Sequence, residues 1–206
     1  MPNVEDLLEV VQDMTAQELL RFLITEKFPG KTLVSASLRG RSVVLLQMIA
    51  EIDPTTPIVF CHAPNSHPDS QEFRANLVSR LGLRDIRDPA DDESGPLPDD
   101  CDHSEGLWAE DPVDHRRVYA TTFLNQTLAD FDCWVSGVYH GPYSDDPAPR
   151  VVAEGRLIRI DPLADWSQDD VRRFMKEHGL SYHPRATLPR AEPATDTTET
   201  VPTYHF

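Results

Sequence analysis

The sequence predicts a three-layer α/β sandwich, a mostly parallel sheet with helices on both faces. Three observations carry this. The strand candidates "KTLVSA", "TPIVFC" and "CWVSGV" are short continuous apolar runs, as expected of strands buried on both faces. They alternate with helical patterns of 11 to 17 residues. Polar, Gly- or Pro-containing loops follow the strands, where open α/β sheets bind their ligands.

The elements follow in order. "VEDLLEVVQDM" reads as a short amphipathic helix, and Thr15 opens "TAQE", a capping box with Glu18 at the third helical position. "AQELLRFLITEKF" continues as helix until Pro29-Gly30. "KTLVSA" is a buried strand, and "SVVLLQMIAEI" a helix apolar on most sides, hence sandwiched. "TPIVFC" is the next strand. "HPDSQEFRANLVSRLGL" is a helix opened by Pro68 and closed near Gly82, and "RDIRDP" holds a short strand. "VYATTFLNQTLADF" is helical and "CWVSGV" a strand. "RVVAEGRLIRIDPL" forms two strands about a Glu154-Gly155 turn, and Ser167 caps "QDDVRRFMKEHG", which ends at Gly179.

This divides the chain into an N-terminal helical segment over 1–30 packed on the core, an α/β domain over 31–184, and a tail over 185–206. Within the domain, 88–105 ("DPADDESGPLPDDCDHSE") is acidic, Pro-rich and nearly devoid of apolar residues, which predicts a solvated loop. The tail is rich in Thr, Pro and Glu.

With 35 acidic against 19 basic residues the formal net charge is -16. Such a molecule repels polyanions, so nucleic acid and anionic membrane surfaces are excluded as partners. A phosphorylated small molecule needs a local cationic or dipolar seat. Nearly all the positive charge is arginine, which suits bidentate phosphate contacts, although excess acid also serves solubility. The three cysteines, Cys61, Cys101 and Cys133, have no CxxC spacing, and "MPNVEDLLEV" has no signal-peptide pattern. A reduced, cytoplasmic protein is expected. No apolar run reaches the ~20 residues of a membrane span.

The candidate seat is "SASLRGRS", between strand and helix. Backbone N–H groups of such a loop can face an anion, aided by the positive end of the helix dipole. Gly40 would allow close approach, Ser35, Ser37 and Ser42 would add hydroxyl donors, and Arg39 and Arg41 would pair with phosphate oxygens. The competing reading is an ordinary strand–helix turn. Two further loops are expected at the same edge, His62 to Pro68 and Tyr139 to Pro149.

These residues resemble the phosphoadenosine phosphosulfate (PAPS) reductase family of the adenine-nucleotide alpha-hydrolase-like superfamily. The resemblance runs from about Leu33 to Pro184. It rests on "SASLRGRSVVLL", "PIVFCHAPNSHPDSQEFRANLVSRLGL", "GLWAEDP" and "FDCWVSGV", and most of all on "IDPLADWSQDDV" followed by "YHP". It implies the fold and a nucleotide ligand.

The resemblance also marks what is missing. The family reduces its substrate with a cysteine in a late Glu-Cys-Gly segment, whereas "HPRATLPRAEPATDTTETVPTYHF" has none. Many members hold an iron–sulfur cluster on two Cys pairs. The first pair falls on His115 and Arg116 here, so no cluster is expected and no other metal is assigned. The arginine-rich segment after the "CWVSGV" strand is replaced by "YHGPYSDD". The chain therefore reads as a divergent member lacking the redox cysteines.

His62 or His140 would act as general acid or base. Cys61, at a strand end, is the one plausible thiol; Cys101 lies among carboxylates and Cys133 reads as a core filler. His67, His115, Arg116 and Tyr139 are cleft-rim candidates. Asp165 and Trp166 read as a strand-to-helix corner and a core ring. Three functions compete. The first is an adenine-nucleotide binder, with non-redox transfer or hydrolysis at the phosphate or sulfate end. The second is a non-catalytic sensor or subunit of a partner enzyme. The third is a working sulfonucleotide reductase, for which no residue is found. Oligomeric state stays open.

Overall fold

The computed structural model describes residues 4–60, 68–87, 123–136 and 149–184. Helix α1 (Val4–Val11) leads to α2 (Ala16–Phe22), capped by Thr15 in the expected box with Glu18. The helical run then widens into a π-helical turn, Leu23–Lys27, instead of continuing as α-helix to Phe28. Strand β1 (Thr32–Ala36) and helix α3 (Gly40–Ile52) follow, then β2 (Ile58–Phe60), α4 (Pro68–Leu81) and β3 (Ile86–Arg87). A short helix over 123–128, here α5, precedes β4 (Cys133–Ser136), and β5 (Val151–Glu154), β6 (Leu157–Ile160) and α6 (Gln168–Glu177) complete the described chain.

The six strands are ordered β3-β2-β1-β4-β6-β5, all neighbours parallel except the β5–β6 hairpin. That hairpin pairs Glu154 with Leu157 across a two-residue turn. Its first turn residue needs positive φ, and Gly155 supplies it at 63°.

The two-residue period of each strand sorts side chains to two faces. Val34, Ala36, Ile58 and Phe60 join the larger core with α1, α2, α3, α4 and α6. Leu33 and Val59 point the other way, against Leu124, Leu128 and Phe131. Helix α3 touches β1, α2, α4 and α6, which is why it is apolar nearly all round. Each fully buried aliphatic side chain there contributes about 1.5–3 kcal/mol.

After α6 the chain reverses. His178 is the C-cap, and Gly179, at φ 60°, takes the left-handed conformation. The Gly179 N–H then donates to Lys176 O (3.2 Å) and the Leu180 N–H to Met175 O (2.8 Å), the paired bonds of a Schellman end. Arg80 donates to His178 O at 3.0 Å, and His183 Nε2 meets Ser70 Oγ at 3.0 Å. From Arg80 to Ser70, α4 rises about 15 Å. Five extended residues reach about 17 Å. The segment from Gly179 to Pro184 is thus a strap laid along α4 from its last turn to its first.

Candidate functional site

Strand β1 has β2 on one side and β4 on the other, and the chain leaves β1 toward β2. This is the point where strand order reverses, and the crevice beyond it is where such sheets bind ligands. Its described floor is the end of β1, the turn into α3, and the end of β4, where Ser35 registers with Ser136.

The turn is internally braced. Ser35 is fully buried, and its Oγ accepts the Trp134 indole N–H at 2.8 Å. The Ser37 N–H donates to Ser42 Oγ (2.9 Å), the two hydroxyl oxygens lie 3.0 Å apart, and the Arg39 N–H donates to Ser37 Oγ (3.3 Å). The hydroxyls of Ser35, Ser37 and Ser42 therefore shape the loop from within. Helix α3 begins earlier than its apolar run suggests, at Gly40, so that Gly40, Arg41 and Ser42 are its first turn. Arg39 is its N-cap, with exposed surface and no side-chain cap bond, and the first turn carries no acidic residue. The N-terminal turn of a 13-residue helix, with its partial positive charge, opens on this edge.

Two expected phosphate contacts have other partners. Arg41 is engaged at the corner between β6 and α6, on the same edge of the sheet. Its guanidinium donates to the Leu163 carbonyl and to Trp166 O (3.1 Å) and stands 3.6 Å from the Asp161 carboxylate. Asp161, 7% exposed, also accepts the Leu163 N–H at 3.1 Å and so forms the corner itself. Gly40 faces α6: a Cβ there would lie 3.3 Å from Met175 Sδ, 3.3 Å from Tyr182 Cε1 and 3.4 Å from Val171 Cγ1. The glycine allows close approach of protein to protein. Trp166 is half-buried, edge-on to Phe174 with centroids 5.7 Å apart, and Asp165 is exposed.

Cys133 is buried, and burial pushes its thiol up to about 12, despite a Thr32 hydrogen bond that lowers it. It packs as core and is no nucleophile. Cys61, His62, His67, Cys101, His115, Arg116, Tyr139 and His140 lie outside the described residues. Among the described residues no group of three or more His, Cys, Asp or Glu could hold a metal ion. A cavity of about 380 Å³ lies at the opposite edge, where Lys31, Asp53, Asp85 and Asp130 precede the strands, and takes no part in the crevice.

Residues 31–185 match the model of the phosphoadenosine phosphosulfate reductase domain family. The chain belongs to that family. Among curated PAPS reductase relatives, the phosphoadenosine 5'-phosphosulfate reductase of Aliivibrio salmonicida is 25% identical, over 84% of this chain and 70% of its own. The adenosine 5'-phosphosulfate reductase of Mesorhizobium japonicum is 30% identical, over 81% of this chain and 65% of its own. Of solved structures, the phosphate complex of PAPS reductase from Candida auris superposes with a TM-score of 0.63 at 17% identity, covering 87% of each chain. That likeness establishes the shared α/β fold.

Sequence reasoning missed Trp134 as partner of Ser35 and Asp161 as partner of Arg41. Strand parity was a signal for the first, since Trp134 registers with Leu33, two residues from Ser35 on the same face. No local signal marked the second, a contact across more than a hundred residues. No described helix is long and apolar enough to cross a membrane.

Proposed function

We propose that this chain binds an adenine nucleotide or a related phosphorylated ligand over the turn from Ser35 to Ser42, and that any turnover there is transfer or hydrolysis without thiol redox chemistry. One observation carries the binding reading. A braced turn, its hydroxyls already fixed, presents the N-terminal turn of α3 and the exposed Arg39 at the switch point. Donors fixed in advance need no reorganisation to meet developing negative charge. Arg39 supplies the charge-assisted contact. His62 and His140 are the proposed proton carriers.

Isothermal titration with AMP and adenosine 3',5'-bisphosphate tests it. Saturable binding heat, lost in Arg39→Glu, is expected. Absence of heat and of any thermal shift with both ligands would sink the binding reading.

The printed names of the relatives favour a second reading, reduction of a sulfonucleotide. Reduction needs a thiolate to attack sulfur, and Cys133 is too deeply buried to supply one. Cys61 then becomes the candidate. Sulfite release from phosphoadenosine phosphosulfate with a thioredoxin-type donor, abolished by Cys61→Ser, would establish this second reading and overturn the non-redox part of the first.

A further inference from the structure

The edge of the sheet where the strands begin holds the cavity of about 380 Å³, a size that suits a small molecule. It lies well away from the seat, since the five residues of β1 put about 15 Å between the two edges. Its wall includes Ile24, from the π-helical turn Leu23–Lys27, a backbone form that recurs at functional sites.

The charges on its lining have a definite order. Lys31 and Arg87 stand with three carboxylates, those of Asp53, Asp85 and Asp130, which leaves one formal negative charge. Arg87 and Asp85 answer each other: Nε and Nη2 donate to the two carboxylate oxygens at 3.2 Å each, and the guanidinium lies 5.1 Å from the centroid of the Phe131 ring. Lys31, Asp53 and Asp130 make no ion pair among the described residues. Asp53 Oδ1 accepts the Thr55 N–H (2.9 Å) and hydroxyl (2.6 Å), a turn that holds this carboxylate in place. Lys31 Nζ donates once, to Asp130 O at 3.1 Å, and keeps N–H groups to spare. Thr56 is 3% exposed and spends its hydroxyl proton on Asp53 O (2.9 Å), so its oxygen can only accept from a ligand.

Lys31 enters β1, while Asp53 precedes β2 and Asp130 precedes β4, the two neighbours of β1. Along the edge the sign therefore runs negative, positive, negative. A simple cation would satisfy the carboxylates but meet the Lys31 ammonium as a like charge. A ligand with two ammonium groups and a carboxylate answers all three.

We propose that this cavity binds a free basic α-amino acid, with its carboxylate on Lys31 and its two ammonium groups on Asp53 and Asp130. The site is separate from the seat and does not rest on nucleotide binding there.

The test is titration calorimetry of the full chain at one fixed ionic strength with L-lysine, with cadaverine, which lacks the carboxylate, and with L-norleucine, which lacks the side-chain amine. L-lysine gives saturable heat, and each of the others binds roughly tenfold or more weakly, the scale of one charged hydrogen-bonded contact. Lys31→Gln weakens L-lysine by a similar factor and does not weaken cadaverine. Asp53→Asn keeps an oxygen for the Thr55 turn and weakens L-lysine and cadaverine alike. Each variant is checked for an unchanged melting transition. Should Asp53→Asn fail to fold, Asp130→Asn takes its place, since that carboxylate makes no bond among the described residues. No saturable heat with L-lysine, an affinity for cadaverine or L-norleucine equal to that for L-lysine, or affinities that the variants leave unchanged overturn the proposal. AMP titrated into the same proteins keeps the two readings apart: its heat is expected to be the same in wild type and variants, and a failure of L-lysine alone leaves the nucleotide reading standing.

Discussion

The indole N–H of Trp134 donates to the Oγ of Ser35 at 2.8 Å, across the seam between β1 and β4. One bond thus fixes the end of β1, just before the seat, to a strand that arrives ninety-nine residues later. Trp134→Phe keeps an aromatic ring, though a smaller one, and removes the donor, leaving a buried hydroxyl without it. We expect a loss of about 1–3 kcal/mol in urea unfolding, with Ser35→Ala costing a similar amount. The double variant should lose less than the sum of the two, because each single change orphans the other's group. Strict additivity would show that the bond contributes nothing.

Removing the Arg41 side chain should be among the more damaging changes near the site. Its side chain is 17% exposed, that of Asp161 9%. Arg41→Ala leaves the Leu163 and Trp166 carbonyls without this donor and the Asp161 carboxylate without this cation. A loss of about 2–4 kcal/mol is expected by chemical denaturation. Arg41→Lys should recover less than half, since one ammonium does not span two carbonyls and a carboxylate. Full stability in the lysine variant would show that the corner needs only charge.

Cys133 gives a pH prediction. Burial raises its thiol from the ordinary 9.0 to about 12. The unfolded chain therefore releases this proton near pH 9 and the folded chain only near 12. The stabilisation from keeping the thiol neutral is complete below pH 9 and is lost as pH rises from about 9 to 12. Unfolding free energy should decline over that window, and Cys133→Ala should flatten this part of the decline. In the native protein at pH 8 the peptide holding Cys133 should resist alkylation, read by mass spectrometry, and react only in denaturant. Rapid native alkylation would contradict the burial.

The fold was legible because its signals are local or periodic. Unbroken apolar runs such as "TLVSA" and "PIVF" marked strands buried on both faces, and Thr15 and Ser167 marked helix starts through their capping boxes. The site was legible in position but less so in detail. "SASLRGRS" shows a polar turn opening a helix. Whether Gly40 clears space for a ligand or for Met175 and Tyr182 depends on what packs against it, and that is set by residues more than a hundred positions away. The same holds for Arg41, whose partners begin at Asp161.

The strand order also governs when this molecule can be finished. β1 is central, yet one of its two edges waits for β4, about a hundred residues downstream. Until then a nascent or truncated chain carries an apolar strand with an open hydrogen-bonding edge, the kind of template on which chains self-associate. N-terminal fragments ending before Cys133 should therefore aggregate, while the full chain, with that edge closed, should not.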